Sequence, residues 1–289
     1  MPSVSLYVPC FNGEKYVARC IESVLELDYP LDDIMVIDDG STDRTAEIVL
    51  GHRQVRLIKQ DRNRGLAAAR NRGLRAARHD LVASIDADVV VAKDWLTNIM
   101  RVADEFPEAS GYGGRMIETT SRTLGDRWRG LHMSHDRGLS RIVRPPFLSG
   151  SNTLLRRDHV LPLGGYDERL KTNGEDLDLA CRLAEIDRYI VYDPAPVCYH
   201  LREDTLISAL RTYWMWMRSP HSVLFPPQNL RELARIVKSR MIANWQRDGH
   251  DDLRNKRYGM MFISLLASVD GARREVLYYL SQKYCAPGL

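Results

Sequence analysis

Cysteine is sparse in this chain: five in 289 residues, at positions 10, 20, 181, 198 and 285, with no CxxC pair. An odd, scattered set excludes a disulfide framework and a zinc ribbon, and it fits a reducing compartment. Long hydrophobic runs are missing too. The longest apolar stretch, Gly259 to Val269, falls well short of the roughly 20 residues that span a bilayer. The opening MPSVSLYVP lacks a charged-then-apolar leader and reads as a strand. The expectation is a cytoplasmic chain, with peripheral contact at the inner face of a membrane left open. Strong net charge is also absent. Lys and Arg number 41 against 38 Asp and Glu, a net of +3, too little to argue for a nucleic-acid partner.

The charge that is present lies unevenly. Residues 1–205 hold 28 Lys and Arg against 32 Asp and Glu, and residues 206–289 hold 13 against 6. The basic C-terminal region suits an anionic partner and, equally, a solvated helical surface. Its aromatic residues, Trp245, Tyr258, Phe262, Tyr278 and Tyr279, suit a membrane surface. A homodimer interface or a helical brace explains the same features.

Short apolar runs alternate with helical patterns through the first hundred residues. VSLYV (4–8), IMVI (34–37), VRLI (55–58) and LVASI (81–85) read as strands, and 17–25, 66–78 and 94–106 as helices. The alternation predicts an α/β fold, a mostly parallel sheet with helices on both faces. Ligands in such sheets sit at the carboxyl ends of the strands, here Pro9–Asn12, Asp38–Asp39 and Asp86–Asp88. Residues 111–170 read as irregular, with Gly and Arg prominent, and a length typical of lids and substrate loops. A helix pattern returns at Glu175, a strand follows at 189–192, and the chain beyond His200 reads as helical.

Three acidic clusters fall where chemistry is expected. Asp86-Ala87-Asp88 closes an apolar strand, and carboxylates one residue apart can converge on one divalent cation of the Mg²⁺ or Mn²⁺ type. Asp is also an ordinary turn residue after a strand. Asp38 and Asp39 can accept hydrogen bonds from a ribose hydroxyl or a base N–H, while Asp43 reads as a helix cap. Glu175-Asp176 opens a helix. A base there would be raised by burial and by its acidic neighbour, and lowered by the helix N-terminus.

In this order the segments resemble glycosyltransferase family 2, enzymes of the GT-A fold. The matching pieces are VSLYVPCFNGEKYVARCIESVL, IMVIDDGSTDRT, NRGLAAARNRGL, IDADVVVAKDWL, FLSGSNTLLRR, GGYDERL and GEDLDLACRL, followed by His200. The resemblance covers about residues 3–205. It implies a catalytic domain over 1–205, with a nucleotide-sugar half (1–115) and an acceptor half (116–205), and a helical region over 206–289. It further implies an inverting transferase that uses a UDP-sugar donor and Mn²⁺ or Mg²⁺. Pro9, Asn12, Asp38, Asp39, Arg70 and Asp86 would hold the nucleoside, with Asp39 on uracil N3. Asp88 would be the main metal ligand, joined by Asp86 and His200. Asp176 would be the base, and Asn152, Tyr166 and Glu175 would line the acceptor side. The acceptor would be a saccharide or a lipid-linked saccharide.

Departures narrow the reading. The turn after the first strand, VPCFNGE, lacks the GxGxxG of a Rossmann dehydrogenase. Processive members carry QxxRW after the base, whereas this chain has Arg211-Thr212-Tyr213-Trp214, which points to a non-processive enzyme. Tyr213, Trp214 and Trp216 suit either stacking on a sugar or core packing. Arginines 122, 127, 129, 137, 141 and 144 are candidates for a lid over the diphosphate or for a solvated loop. His132 and His135 read as ordinary for want of carboxylate partners. The alternatives are a polyprenyl-phosphate sugar synthase, a sugar nucleotidyltransferase, and a non-catalytic binding module on a decayed transferase. The nucleotidyltransferase needs a Gly-rich basic loop that is missing here, and decay should have removed Asp88 or Asp176.

Overall fold

The computed structural model describes residues 2–218 and 223–284. Nine strands form one sheet: β1 (Val4–Cys10), β2 (Asp33–Asp38), β3 (Val55–Lys59), β4 (Leu81–Ile85), β5 (Val89–Val91), β6 (Gly111–Glu118), β7 (Ile142–Val143), β8 (Asn152–Arg156) and β9 (Ile190–His200). The helices used below are α1 (Val17–Leu25), α2 (Thr45–Leu50), α3 (Leu66–Ala76), α4 (Trp95–Glu105), α5 (Leu124–His132), α6 (Arg157–Val160), α7 (Glu175–Glu185), α8 (Leu206–Trp216), α9 (Leu230–Asn244), α10 (His250–Arg254) and α11 (Tyr258–Tyr284).

The strand order is β3-β2-β1-β4-β8-β6-β9-β5, with β7 beside β9. Strands β1 to β4 are parallel, so the chain crosses over through α1, α2 and α3. Helix α1 buries Val17, Cys20, Ile21 and Val24, the spacing of one helical face. Every residue of β1 is buried. Leu6 and Val8 face one apolar layer, with Ile21, Trp95 and Ile99, while Tyr7 faces the other, with Met35, Leu74 and Leu183. That two-sided burial is why parallel strands read as continuous apolar runs. After β3 the chain returns to the far side of β1. The reversal opens a crevice between the carboxyl ends of β1 and β4, the usual ligand position in such sheets.

The second half of the sheet is mixed. Strand β8 runs antiparallel to β4 and β6, β9 runs parallel to β6, and β5 runs antiparallel to β9. The middle segment expected to be irregular therefore contributes β6 and β8. Gly111, Gly113 and Gly114 serve close strand packing, whereas Gly138, Gly164 and Gly165 hold positive φ in turns. A Cβ on Gly114 would lie 2.1 Å from the Pro196 carbonyl oxygen, beside a register shift between Gly113 and Arg115.

The chain divides into two compact units, residues 1–119 with 134–202, and residues 120–133 with 203–289. The run 116–205 expected to be continuous is thus interrupted, because 120–133 belongs to the second unit. Within that unit α5 starts at a capping box between Thr123 and Asp126. Trp128, Met133, Ala209, Tyr213, Ile263 and Ala267 form its core. Tyr213 stacks at 4.9 Å on Trp128, Trp214 Nε1 donates to Glu275 at 3.1 Å, and Trp216 packs against the same core. Tyr213 is buried in this core, while Trp214 and Trp216 are half-buried. Among the described residues no helix is long and apolar enough to cross a membrane.

Candidate active site

The carboxyl ends of β1, β2 and β4 carry the first group of predicted residues. The loop after Pro9 turns at Asn12, whose φ of 51° is a left-handed conformation that Asn tolerates. Asn12 Oδ1 accepts from Thr42 N at 2.9 Å, and Asn12 N donates to Ser41 Oγ at 2.9 Å. The loops after β1 and β2 are thereby stitched together. Asp38 is wholly buried. Its Oδ1 accepts from Ser41 N at 2.8 Å, while its Oδ2 is buried without a protein partner. Asp39 accepts from Gln60 Nε2 at 2.7 Å and from Arg64 N and Gly65 N at 2.8 Å. A carboxylate offers about four lone-pair sites, so Asp39 shapes this loop and keeps one acceptor site to spare. Burial raises its pKa against these hydrogen bonds.

Asp86 and Asp88 occupy the turn between β4 and β5. Asp88 Oδ2 lies 3.4 Å from His200 Nε2, at the end of β9. The other ring nitrogen, Nδ1, lies 3.0 Å from Glu118 Oε1. Burial works to raise the Asp88 carboxyl, but the His200 and Arg202 charges outweigh it and bring it down to about 2. For His200, burial works downward and the two carboxylates upward; the carboxylates win and push it up to about 9. Sequence reading missed Glu118. It stands at the end of a glycine-rich strand that carried no strand signal.

Arg70, on α3, is buried among protein groups. Its side chain is 2% exposed. Nη2 binds Asp86 Oδ1 at 3.0 Å, Nη1 binds Ser84 Oγ at 2.9 Å and the Gly150 carbonyl, and Nε faces Glu175 Oε1 at 3.3 Å. These contacts bridge the Asp86 turn and the start of α7. Gly150 is needed beneath it, because a Cβ there would sit 2.7 Å from the guanidinium carbon.

Helix α7 opens with Glu175 and Asp176, after Gly174 at a φ of 84°. Asp176 lies in a small cleft with Leu148, Thr153, Tyr166, Leu179 and Leu183. Burial raises its carboxyl, opposed by Arg70 and by the N–H groups of Leu177 and Gly150. Burial, with Asp176 alongside, pushes Glu175 up to about 7. Burial therefore outweighs the helix N-terminus at both acids. Tyr166 is buried, its ring 6.0 Å from the Arg70 guanidinium, so it flanks this cleft.

Other candidates stand apart. Asn152 is 1% exposed, accepts from Trp95 Nε1 at 2.7 Å and donates to the Arg115 carbonyl; these bonds brace the sheet. Four of the six candidate lid arginines are held in ion pairs. Arg122 pairs with Glu203 and the buried Arg129 with Asp204, in the second unit. Arg141 pairs with Asp193 and Arg144 with Asp187. Arg137 lies over the Phe147 ring and within the field of Asp176. His132 does have carboxylate partners, Asp252 at 3.0 Å and Asp248 at 3.7 Å, supplied from far along the chain. Asp251 completes a cluster that could hold a cation, but Arg257 already pairs with both Asp251 and Asp252.

The donors at the β4 and β9 ends fit a divalent cation. Carboxylate and imidazole atoms 3.4 Å apart are close to the ~3 Å spacing of neighbouring ligands around an octahedral ion with bonds of about 2.1 Å. The orphaned Asp38 oxygen likewise fits a ligand hydroxyl or N–H.

Known proteins share this arrangement of strands. The mannosyltransferase PcManGT from Pyrobaculum calidifontis, solved in complex with GDP-Man and Mn²⁺, has a TM-score of 0.61 at 19% identity, covering 94% of this chain and 87% of that one. Residues 1–349 of S. aureus TarS, in complex with UDP-GlcNAc, give 0.59 at 16% identity, covering 97% and 92%. These likenesses establish the GT-A fold. In sequence, the poly-beta-1,6-N-acetyl-D-glucosamine synthase of Staphylococcus epidermidis is 27% identical over 248 residues, 83% of this chain and 58% of that protein. Its counterpart in Staphylococcus aureus (strain COL) is 26% identical over 232 residues, 78% and 56%. The chain thus spans little more than half the length of these curated relatives. Residues 5–161, more than half of the chain and including both strand-end acidic pairs, match the model of Glycosyl transferase family 2, and the chain belongs to that family.

Proposed function

We propose that this chain is an inverting, metal-dependent glycosyltransferase that moves a sugar from a UDP-sugar to a hydroxyl of a glycan or lipid-linked saccharide, one residue at a time. The observation that carries the reading is the Arg70 bridge from Asp86 to Glu175, which ties one donor-side carboxylate to the residue next to the candidate base, Asp176. Asp176 takes the acceptor proton as that oxygen attacks the anomeric carbon. The bond to the diphosphate breaks on the opposite face, and the nucleoside diphosphate leaves with the electron pair. Its raised pKa suits proton acceptance. Single displacement needs no covalent intermediate.

Asp88 and His200, with Asp86 beside them, would hold Mn²⁺ or Mg²⁺, which when bound neutralises charge on the departing diphosphate. Pro9, Asn12, Asp38 and Asp39 surround the nucleoside, with the free Asp38 oxygen accepting from it. Glu175 and Tyr166 flank the acceptor. A UDP donor is supported by the relatives, which are named as N-acetylglucosamine polymer synthases, and by the TarS complex with UDP-GlcNAc. Transfer of single residues is supported by the absence of QxxRW and by the packing of Tyr213 into a helical core.

A thermal-shift panel of UDP-, GDP- and dTDP-sugars with Mn²⁺ tests the proposal, since a ligand that binds only the folded state raises Tm by mass action. UDP-sugars are expected to give the largest shift. A panel in which none shifts Tm overturns the reading.

A further inference from the structure

We propose that Glu118 is a positioning residue for the cation end of the site, holding the His200 ring so that Nε2 is presented toward Asp88. The inference rests on the metal-dependent reading above and concerns a residue to which that reading gives no part. Strands β6 and β9 run parallel, and Glu118 is the register partner of His200 at their common end. Both Glu118 oxygens reach His200 Nδ1, at 3.0 and 3.1 Å. The two side chains are 10% and 8% exposed, so solvent does little to loosen the contact.

The histidine backbone is gripped from the same strand. Thr119 N and Oγ1 donate to the His200 carbonyl at 3.2 and 2.7 Å. On the other side, Leu201 N donates to the Asp88 carbonyl at 2.8 Å, which fixes the turn that carries the partner carboxylate. With backbone and Nδ1 both held, the ring presents Nε2 at 3.4 Å from Asp88 Oδ2. A carboxylate on one imidazole nitrogen directs the lone pair of the other to a cation and raises its basicity. The β6–β9 ladder does not need this pair to stay closed, because seven register pairs join the strands.

Mn²⁺ binding in the presence of UDP, followed by electron paramagnetic resonance, separates this role from a merely structural one. In the wild type, bound Mn²⁺ should show nitrogen modulation in the spin-echo envelope, lost in His200→Asn. Glu118→Gln should weaken Mn²⁺ binding about 10- to 100-fold and diminish the nitrogen signal. Glu118→Asp should restore part of both, and it serves as the test if Glu118→Gln fails to fold. Equal Mn²⁺ affinity and an unchanged nitrogen signal in a folded Glu118 variant would overturn the assignment of Glu118 alone. A wild type that takes up no Mn²⁺ with UDP overturns the metal reading, and this inference with it.

Discussion

Arg70 Nη2 lies 3.0 Å from Asp86 Oδ1, and both partners of this pair answer to more than each other. The same guanidinium reaches Glu175 on another element, so a substitution on α3 is felt in the turn after β4 and at the start of α7.

Replacing Arg70 by Met leaves Asp86 and Glu175 without their shared cation. Breaking a buried pair on one side costs about 3–5 kcal/mol. Urea denaturation should show a loss of that size, with part recovered in Arg70→Met/Glu175→Gln. A loss under about 1 kcal/mol, the range of exposed pairs, contradicts the buried bridge.

Gly150→Ala tests the close approach beneath the same residue. The new methyl would lie 2.7 Å from the Arg70 guanidinium carbon, and overpacking of this kind costs about 1–3 kcal/mol. The unfolding midpoint should fall, and UDP release should fall with it.

On the proposed mechanism, Asp176→Asn removes the base and spares the donor pocket. Transfer should drop about 10²- to 10⁴-fold, while the Tm shift with UDP and Mn²⁺ stays that of the wild type. Retained transfer moves the base elsewhere.

Glu175 supplies a pH test. Its pKa rises from 4.5 to about 7 on folding, so its neutral form favours the folded state. That contribution is whole below pH about 4.5 and is lost as pH rises through about 7. Glu175→Gln should therefore flatten the change in unfolding midpoint between those values. Glu175 is neutral below that range, so Glu175→Gln should leave the acid limb of the rate profile in place. An unfolding midpoint whose pH dependence is the same in the variant and the wild type contradicts the raised Glu175 pKa.

Much of this site could be read from the chain because its parts obey local rules. The parallel strands β1, β2 and β4 are buried on both faces and so appear as unbroken apolar runs. Their carboxyl ends then locate Pro9, Asp38, Asp39, Asp86 and Asp88 without further information. Asp176 was readable because acids in a first helical turn stand out after Gly174. What the chain concealed depends on partners distant in sequence. Glu118 meets His200 only through the pairing of β6 with β9, and β6 hides behind glycines that serve close packing at Pro196. No local pattern reveals that Ser84, Asp86, Gly150 and Glu175 surround Arg70. The carboxylates of His132 come from the helical region more than 110 residues further on. Whether burial or the helix N-terminus sets the carboxyl pKa at α7 is a balance of opposing effects that only the packed cleft decides.

The central claim is that Asp88 anchors a cation that helps hold the donor diphosphate, and the most direct measurement is the Tm shift produced by UDP with Mn²⁺ in wild type and in Asp88→Asn. The account predicts a shift in the wild type that shrinks to that of UDP alone on adding chelator, and an Asp88→Asn protein in which Mn²⁺ adds nothing to UDP. Equal shifts with and without chelator, or an Asp88→Asn protein that responds as the wild type does, would contradict it.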